Sequence, residues 1–354
     1  QLFTVWVATK YGDDEIKHIS KLIKDHHLGG LIFSLGNIKD QAKAINKFQK
    51  ISKVPLLISM DAEWGIGMRL DDAFSFPYNM TLGAIKNDSL VYNVGKRIGY
   101  HAKRLGVHIN FAPVVDINTN PRNPIIGSRS FGEDKFNVAN KGISYLKGMH
   151  EYGIMGAAKH FPGHGDTETD SHKTLPTISF DKDRINDVEL YPFKKLIENN
   201  LDGIMTAHLN IPNLDKKEIS TLSQKVINNL LVNDLGFEGL VITDALDMKA
   251  IVDFSKGDYP DITALNAGND LLLMPTDVGK SIKEIKNAFQ KNKISPQRLE
   301  SAVKKILYAK YKAGLSDLKP IEIDNIVDDL NQDIDYALLD RVAEESITLV
   351  KNQN

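Results

Sequence analysis

The chain has 354 residues, 42% of them hydrophobic and 25% charged, the balance of a folded globular protein rather than of a disordered or membrane-embedded one. A net charge of −2 with scattered basic residues offers no electrostatic footprint to a nucleic acid or an anionic membrane. The absence of cysteine excludes disulfides, thiol nucleophiles and zinc–thiolate sites, and no apolar stretch approaches the ~20 residues needed to span a bilayer.

The chain opens on Gln1 and enters an apolar run at once, so an upstream leader is expected to be missing. Short apolar, β-rich runs follow at residues 2–8, 30–33, 56–60, 109–112, 155–158, 203–207, 239–243 and 270–274. Between them, residues 14–27, 40–51, 88–105 and 224–235 place Ile, Leu and Val at three-and-four spacing, as helices facing a core require. Such alternation implies a parallel sheet, and eight units point to a closed (β/α)8 barrel of TIM type with irregularities; an open doubly wound sheet would alternate in the same way. The polar residues favour the barrel. Asp61, Asp116, Lys159 with His160, His208 and Asp244 each fall at or just past the C-terminal end of a predicted strand, the face on which barrels carry active sites.

Past the eighth strand the pattern predicts a helix over 277–290, a helix start at Ser295-Pro296 and an amphipathic stretch over 297–313 that stops at Gly314. Residues 1–315 are therefore expected to form the barrel domain. Residues 316–354 read as an acidic linker, helical from about 333 to 346, ending on a β-rich run at 347–352 that has no partner; a further C-terminal domain is expected beyond it.

The densest polar cluster is Lys159-His160-Phe161-Pro162-Gly163-His164-Gly165-Asp166-Thr167-Glu168-Thr169-Asp170-Ser171-His172, read as a loop leaving strand five. In an extended loop Asp170 and His172 fall on one side, and a carboxylate beside an imidazole orients it and favours its protonated form, a suitable proton donor. A lone Asp-x-His is better explained by a solvated loop that satisfies its own backbone, and it is the surrounding cluster that weakens that explanation. A metal site is a further alternative, since His160, His164, Asp166 and His172 are ligand types for zinc or iron. Pro162, Gly163 and Gly165 disfavour the helix on which such a His pair is usually built, so no metal and no cofactor is expected. Asp244 ends the apolar run 240–243 and is either available at the barrel mouth or a helix N-cap. Asp61 occupies the equivalent place after strand three, with Arg69 just beyond and Trp64 offering either an aromatic face to a sugar or mere packing.

Residues 159–176 closely resemble the signature Lys-His-Phe-Pro-Gly-His-Gly-Asp-Thr-x-x-Asp-Ser-His-x-x-Leu-Pro of family 3 glycoside hydrolases of the β-N-acetylglucosaminidase (NagZ) type. Further blocks resemble the same family in the same order: Met60-Asp61-Ala62-Glu63, Asn110-Phe111-Ala112-Pro113-Val114-Val115-Asp116, Gly127-Ser128-Arg129-Ser130-Phe131-Gly132, Met205-Thr206-Ala207-His208 and Ile242-Thr243-Asp244-Ala245-Leu246-Asp247-Met248. The resemblance implies an irregular (β/α)8 barrel in which Asp244 is the nucleophile, His172 the general acid/base and Asp170 its partner. Asp61, Arg69, Arg129, Lys159 and His160 would hold the hydroxyls of the terminal sugar. Where the family commonly has Gln-Glu-Gly-Gly, this chain has Ala62-Glu63-Trp64-Gly65, which puts the shape of the subsite there in question.

The implied activity is a retaining exo-β-N-acetylglucosaminidase acting through a covalent glycosyl-Asp intermediate on peptidoglycan-derived saccharides, with muropeptide fragments as substrates, a role in peptidoglycan recycling and a cell-envelope, periplasmic or extracellular setting. A β-glucosidase or xylosidase of the same family is the first alternative and a metal-dependent barrel hydrolase the second. A histidine acid departs from the two-carboxylate template of most glycosidases. It suits a leaving group that itself carries a carboxylate, as N-acetylmuramic acid does, because a second anion would be repelled.

Overall fold

A computed structural model describes residues 1–168, 175–255 and 259–351. Eight strands form one parallel sheet in the order β7-β6-β5-β4-β3-β2-β1-β8. They are β1 (Phe3–Ala8), β2 (Gly30–Ser34), β3 (Leu57–Met60), β4 (Ile109–Asn110), β5 (Met155–Phe161), β6 (Gly203–Thr206), β7 (Leu240–Thr243) and β8 (Leu272–Leu273). The ladder between β7 and β8 is replaced by an isolated bridge, Ile242 to Leu271, with Thr243 N–H donating to Leu271 O at 3.0 Å. The result is a nearly closed (β/α)8 barrel with one loosely sealed seam.

The strand sequences dictate two layers. Successive side chains alternate across a strand, so Leu31 and Phe33, Ile58 and Met60, Ala158, Ile204 and Val241 face outward into one cluster with helix residues Ile19, Phe48, Ile98 and Leu146. Their neighbours Ile32, Leu57, Ile109, Met155, Ala157, Met205 and Ile242 fill the barrel interior. The surrounding helices include α1 (Gly12–His26), α2 (Ile38–Ile51), α3 (Asp88–Arg104), α4 (Lys135–His150), α5 (Tyr191–Ile197), the wide π-type turn α6 (Lys225–Asp234), α7 (Pro260–Ala267), α8 (Val278–Gln290) and α9 (Pro296–Lys312). Several start where the sequence supplies a cap: Asn37, Asn87, Asp134, Asp277 and Ser295 each accept a backbone N–H of the first turn, satisfying a donor that the helix itself leaves orphaned.

Two expected boundaries move. β5 does not stop at Ala158; Val114 bridges to Lys159 and Phe161 pairs with Thr206, so Lys159 and His160 belong to the strand rather than to the loop after it. β4 is shorter than expected, because Pro113 lacks the N–H that would extend its ladder.

The acidic tail packs back on the barrel. Helix α10 (Asp333–Ser346) buries Leu338 and Val342 in the outer cluster, and its Asp335 is clasped by Arg97 of α3 at 2.7 and 3.0 Å and by His101 Nε2 at 3.1 Å. Beyond it, Ile347, Leu349 and Val350 are exposed. Among the described residues no helix is long and apolar enough to cross a membrane.

Candidate active site

Interior parity converges on the barrel mouth. Positions 57, 59 and 61 of β3, 155, 157 and 159 of β5, and 240, 242 and 244 of β7 share the inward register, so Asp61, Lys159 and Asp244 emerge together at the C-terminal ends of the strands. They border a cleft of about 460 Å3 that also takes in Glu63, Trp64, Arg69, Arg129, His160, His164, Trp6, Met248 and Met274.

Its polar wall is one ion-pair network. Lys159 Nζ donates to Asp61 Oδ1 at 2.7 Å and lies 2.8 Å from Glu63 Oε1. Arg69 reaches Asp61 through Nη2 at 2.8 Å and through Nε to its carbonyl at 3.2 Å. Arg129 clasps both oxygens of Glu63, at 2.7 and 3.0 Å, the planar fork-to-carboxylate geometry that fixes both side chains. Burial alone would raise the carboxyl groups of Asp61 and Glu63. The cations Lys159 and Arg69 hold Asp61 below the usual range, and Lys159 and Arg129 hold Glu63 well below it.

His160 sits on a second buried acid. Its Nδ1 is 2.6 Å from Asp116 Oδ2, and Asp116 also accepts the backbone N–H groups of His160 at 3.1 Å and His164 at 2.7 Å. The ladder from β5 to β6 is irregular between Ala158 and Phe161, and this bulge turns both Lys159 and His160 toward the mouth. Past it the chain turns at Gly163 (φ +129°), and Gly165 passes so close to Ile117 that a Cβ would lie 1.8 Å from its carbonyl oxygen. His164 is pushed down to about 4, first by burial and then by the charge of His160, so it is neutral near pH 7.

Asp244 is half-buried at the end of β7. Its N–H donates to Thr206 O at 3.0 Å and its Oδ1 accepts the N–H of Ala245 at 2.8 Å. Burial would raise its carboxyl, but His160, His208, that N–H and Lys159 together hold it below the usual range. It is therefore a carboxylate at the edge of the ion-paired cleft, and the residue it accepts from is its immediate neighbour, not the N2 or N3 position of a helix cap. His208 lies behind it, buried, with Nδ1 2.8 Å from Thr221 Oγ1 and Nε2 2.9 Å from Ala245 O.

Six of the residues singled out in the sequence, Asp61, Arg69, Arg129, Lys159, His160 and Asp244, thus line one cleft. Asp170 and His172 lie outside the described residues. Glu63 went unassigned in the sequence reading and Asp116 was placed at a strand end without a role, although each is a hub of this network; for Glu63 the available signal was two acids at i and i+2 after β3. No cluster of three or more His, Asp or Glu with metal-binding geometry occurs among the described residues.

A nearly closed parallel barrel with acids, histidines and cations gathered at its C-terminal mouth has the architecture of a barrel enzyme. Residues 1–309 match the glycosyl hydrolase family 3 N terminal domain, and the chain belongs to that family. It is 35% identical over 328 residues to beta-hexosaminidase A of Pseudoalteromonas piscicida, covering 83% of this chain and 55% of that protein. Identity is 28% over 347 residues to a beta-N-acetylglucosaminidase/beta-glucosidase of Cellulomonas fimi, covering 95% of this chain and 62% of that protein. The structure of a glycoside hydrolase family 3 beta-N-acetylglucosaminidase from Paenibacillus sp. str. FPU-7 superposes with a TM-score of 0.93 at 35% identity, over 100% of this chain and 69% of that one. The chain therefore spans a little over half to about two thirds of the length of these relatives.

Proposed function

We propose that this barrel is the catalytic part of a retaining exo-β-N-acetylglucosaminidase that removes terminal N-acetylglucosamine from peptidoglycan-derived saccharides. The observation that carries the reading is Asp244, an ionised, half-buried carboxylate at the end of β7, facing a cleft whose opposite wall is a fixed array of Asp61, Arg69, Lys159, Arg129 and His160. In this reading the array binds the hydroxyls of the terminal sugar and presents its anomeric carbon to Asp244. The Asp244 carboxylate attacks that carbon while an acid protonates the leaving oxygen, and water then hydrolyses the glycosyl-Asp bond with the same group acting as base. His172 supplies that acid and base, with Asp170 favouring its protonated form. The Paenibacillus and Cellulomonas fimi relatives, both named as beta-N-acetylglucosaminidases, support the N-acetylglucosaminide as substrate.

The Cellulomonas fimi relative, named for both activities, favours a second reading in which glucosides are also accepted. Paired assays with a chromogenic N-acetylglucosaminide and the matching glucoside separate the two. Preferential turnover of the first, undiminished by chelators, is expected; equal or preferred turnover of the glucoside overturns the substrate assignment, and loss of activity on chelation overturns the mechanism. The peptidoglycan assignment is tested by comparing neutral chitobiose with the muramic-acid-linked disaccharide, and equal turnover of the two removes it.

A further inference from the structure

The chain contains two tryptophans, Trp6 and Trp64, and both line the cleft. Trp64 directly follows Glu63 and stands three residues after Asp61. Its backbone is held in place: Phe76 N–H donates to Trp64 O at 2.9 Å, and the next residue, Gly65, turns the chain at φ +104°. The indole is held too. Tyr78, itself 50% exposed, packs edge-on against it with ring centroids 4.5 Å apart and planes at 73°. Trp64 is thus a fixed, half-buried aromatic surface beside the charged groups of Asp61 and Arg69.

A pyranose ring needs that combination. Its equatorial hydroxyls seek charged partners, while its C–H faces seek an apolar, preferably aromatic plane. We infer that Trp64 is a binding wall that stacks on the ring of the terminal sugar, with Tyr78 setting the tilt of the indole. The inference rests on the glycosidase reading above. The assignment to the terminal sugar rather than to the leaving group follows from the loop: Trp64 shares it with Asp61 and Arg69, which in the proposed function hold that sugar's hydroxyls, whereas the bond to be cut is assigned there to Asp244 at the end of β7.

Kinetics and fluorescence test it together. Trp64→Ala should raise KM about tenfold, equivalent to about 1.4 kcal/mol, and leave kcat within about twofold, as loss of binding common to ground and transition states requires. The rise should be the same for an aryl N-acetylglucosaminide and for a disaccharide, and Trp64→Phe should restore most of it. In Trp6→Phe, where Trp64 is the sole indole, N-acetylglucosamine should shift the emission in a saturable way. An unchanged KM in an active Trp64→Ala enzyme overturns the inference, as does a rise confined to the disaccharide, or an emission blind to the sugar in a Trp6→Phe enzyme whose KM is that of the unmutated protein. If the unmutated protein turns over neither chromogenic substrate, the glycosidase reading itself has failed instead.

Discussion

Glu63 is the most exacting test of the network at the mouth. Its side chain is fully buried, it takes both arms of the Arg129 fork and one contact from Lys159, and Lys159 is itself only 3% exposed. In Glu63→Ala, Lys159 keeps Asp61 at 2.7 Å, whereas Arg129 loses its carboxylate partner. Removing one member of a buried pair typically costs about 3–5 kcal/mol, because the other charge is left uncompensated. Arg129 retains 23% exposure, so water relieves part of that cost and the expected loss is about 3 kcal/mol. Glu63→Gln, which still accepts one hydrogen bond, should lose about 1–2 kcal/mol. Urea denaturation of the three proteins measures this directly, provided the slopes agree. The pH dependence has a definite sign. The folded carboxyl lies below its unfolded value of about 4.3, so the stabilisation is present above that pH and is lost as pH falls through the folded value. The gap between unmutated protein and Glu63→Ala should stay constant from about pH 6 to 8 and narrow below about pH 4. A loss under about 1 kcal/mol at neutral pH, or a gap that widens on acidification, would refute the network as described.

Asp244→Asn should abolish turnover of every substrate while leaving the fold intact by circular dichroism; retained activity would assign the nucleophile elsewhere. His172→Ala should slow hydrolysis by ~10²–10⁴ for poor leaving groups and far less for activated aryl glycosides, and equal losses for both would remove His172 from the acid role. Asp335, lowered to about 2 by His101 and Arg97 against the opposing effect of burial, pins α10 to the barrel. Asp335→Asn should cost roughly 1–2 kcal/mol at neutral pH, a contribution present above the ordinary value of 3.8 and lost as pH falls toward 2; thermal melts at pH 7 and pH 3 check it.

The barrel was legible because its two periodicities are strong. Short apolar runs recur eight times, stretches with three-and-four spacing lie between them, and polar residues cluster at one end of the strands. The short strands were not legible to the residue. Phe111 and Ala112 are as apolar as strand residues and fully buried, yet the ladder of β4 ends at Asn110. Hydrophobicity reports burial there, not pairing. Residues 225–234 show the same limit: their apolar spacing announces a helix, but nothing in it distinguishes the π-type hydrogen bonding of α6.

At the site, the residues that stand at strand ends were readable and the residues that hold them were not. Glu63 looks like any loop acid, and Asp116 like a strand-end acid without a role, until Arg129, 66 positions from Glu63, and His160, 44 positions from Asp116, are brought against them. That distinction has a functional consequence. Lys159 has three N–H donors and uses them toward Asp61 and Glu63, which leaves one for a ligand; Arg129, held by Glu63, still directs Nη2 to within 3.4 Å of His160 Nε2. Ion pairs within the protein itself hold the array together. In the proposed function, a sugar meeting side chains held in this way spends little on ordering them, so more of the contact energy remains as binding. Glu63 and Asp116 touch no substrate in this scheme. Their effect is to keep Lys159, Arg129 and His160 in one arrangement, which is why their replacement should register in stability as well as in kcat/KM.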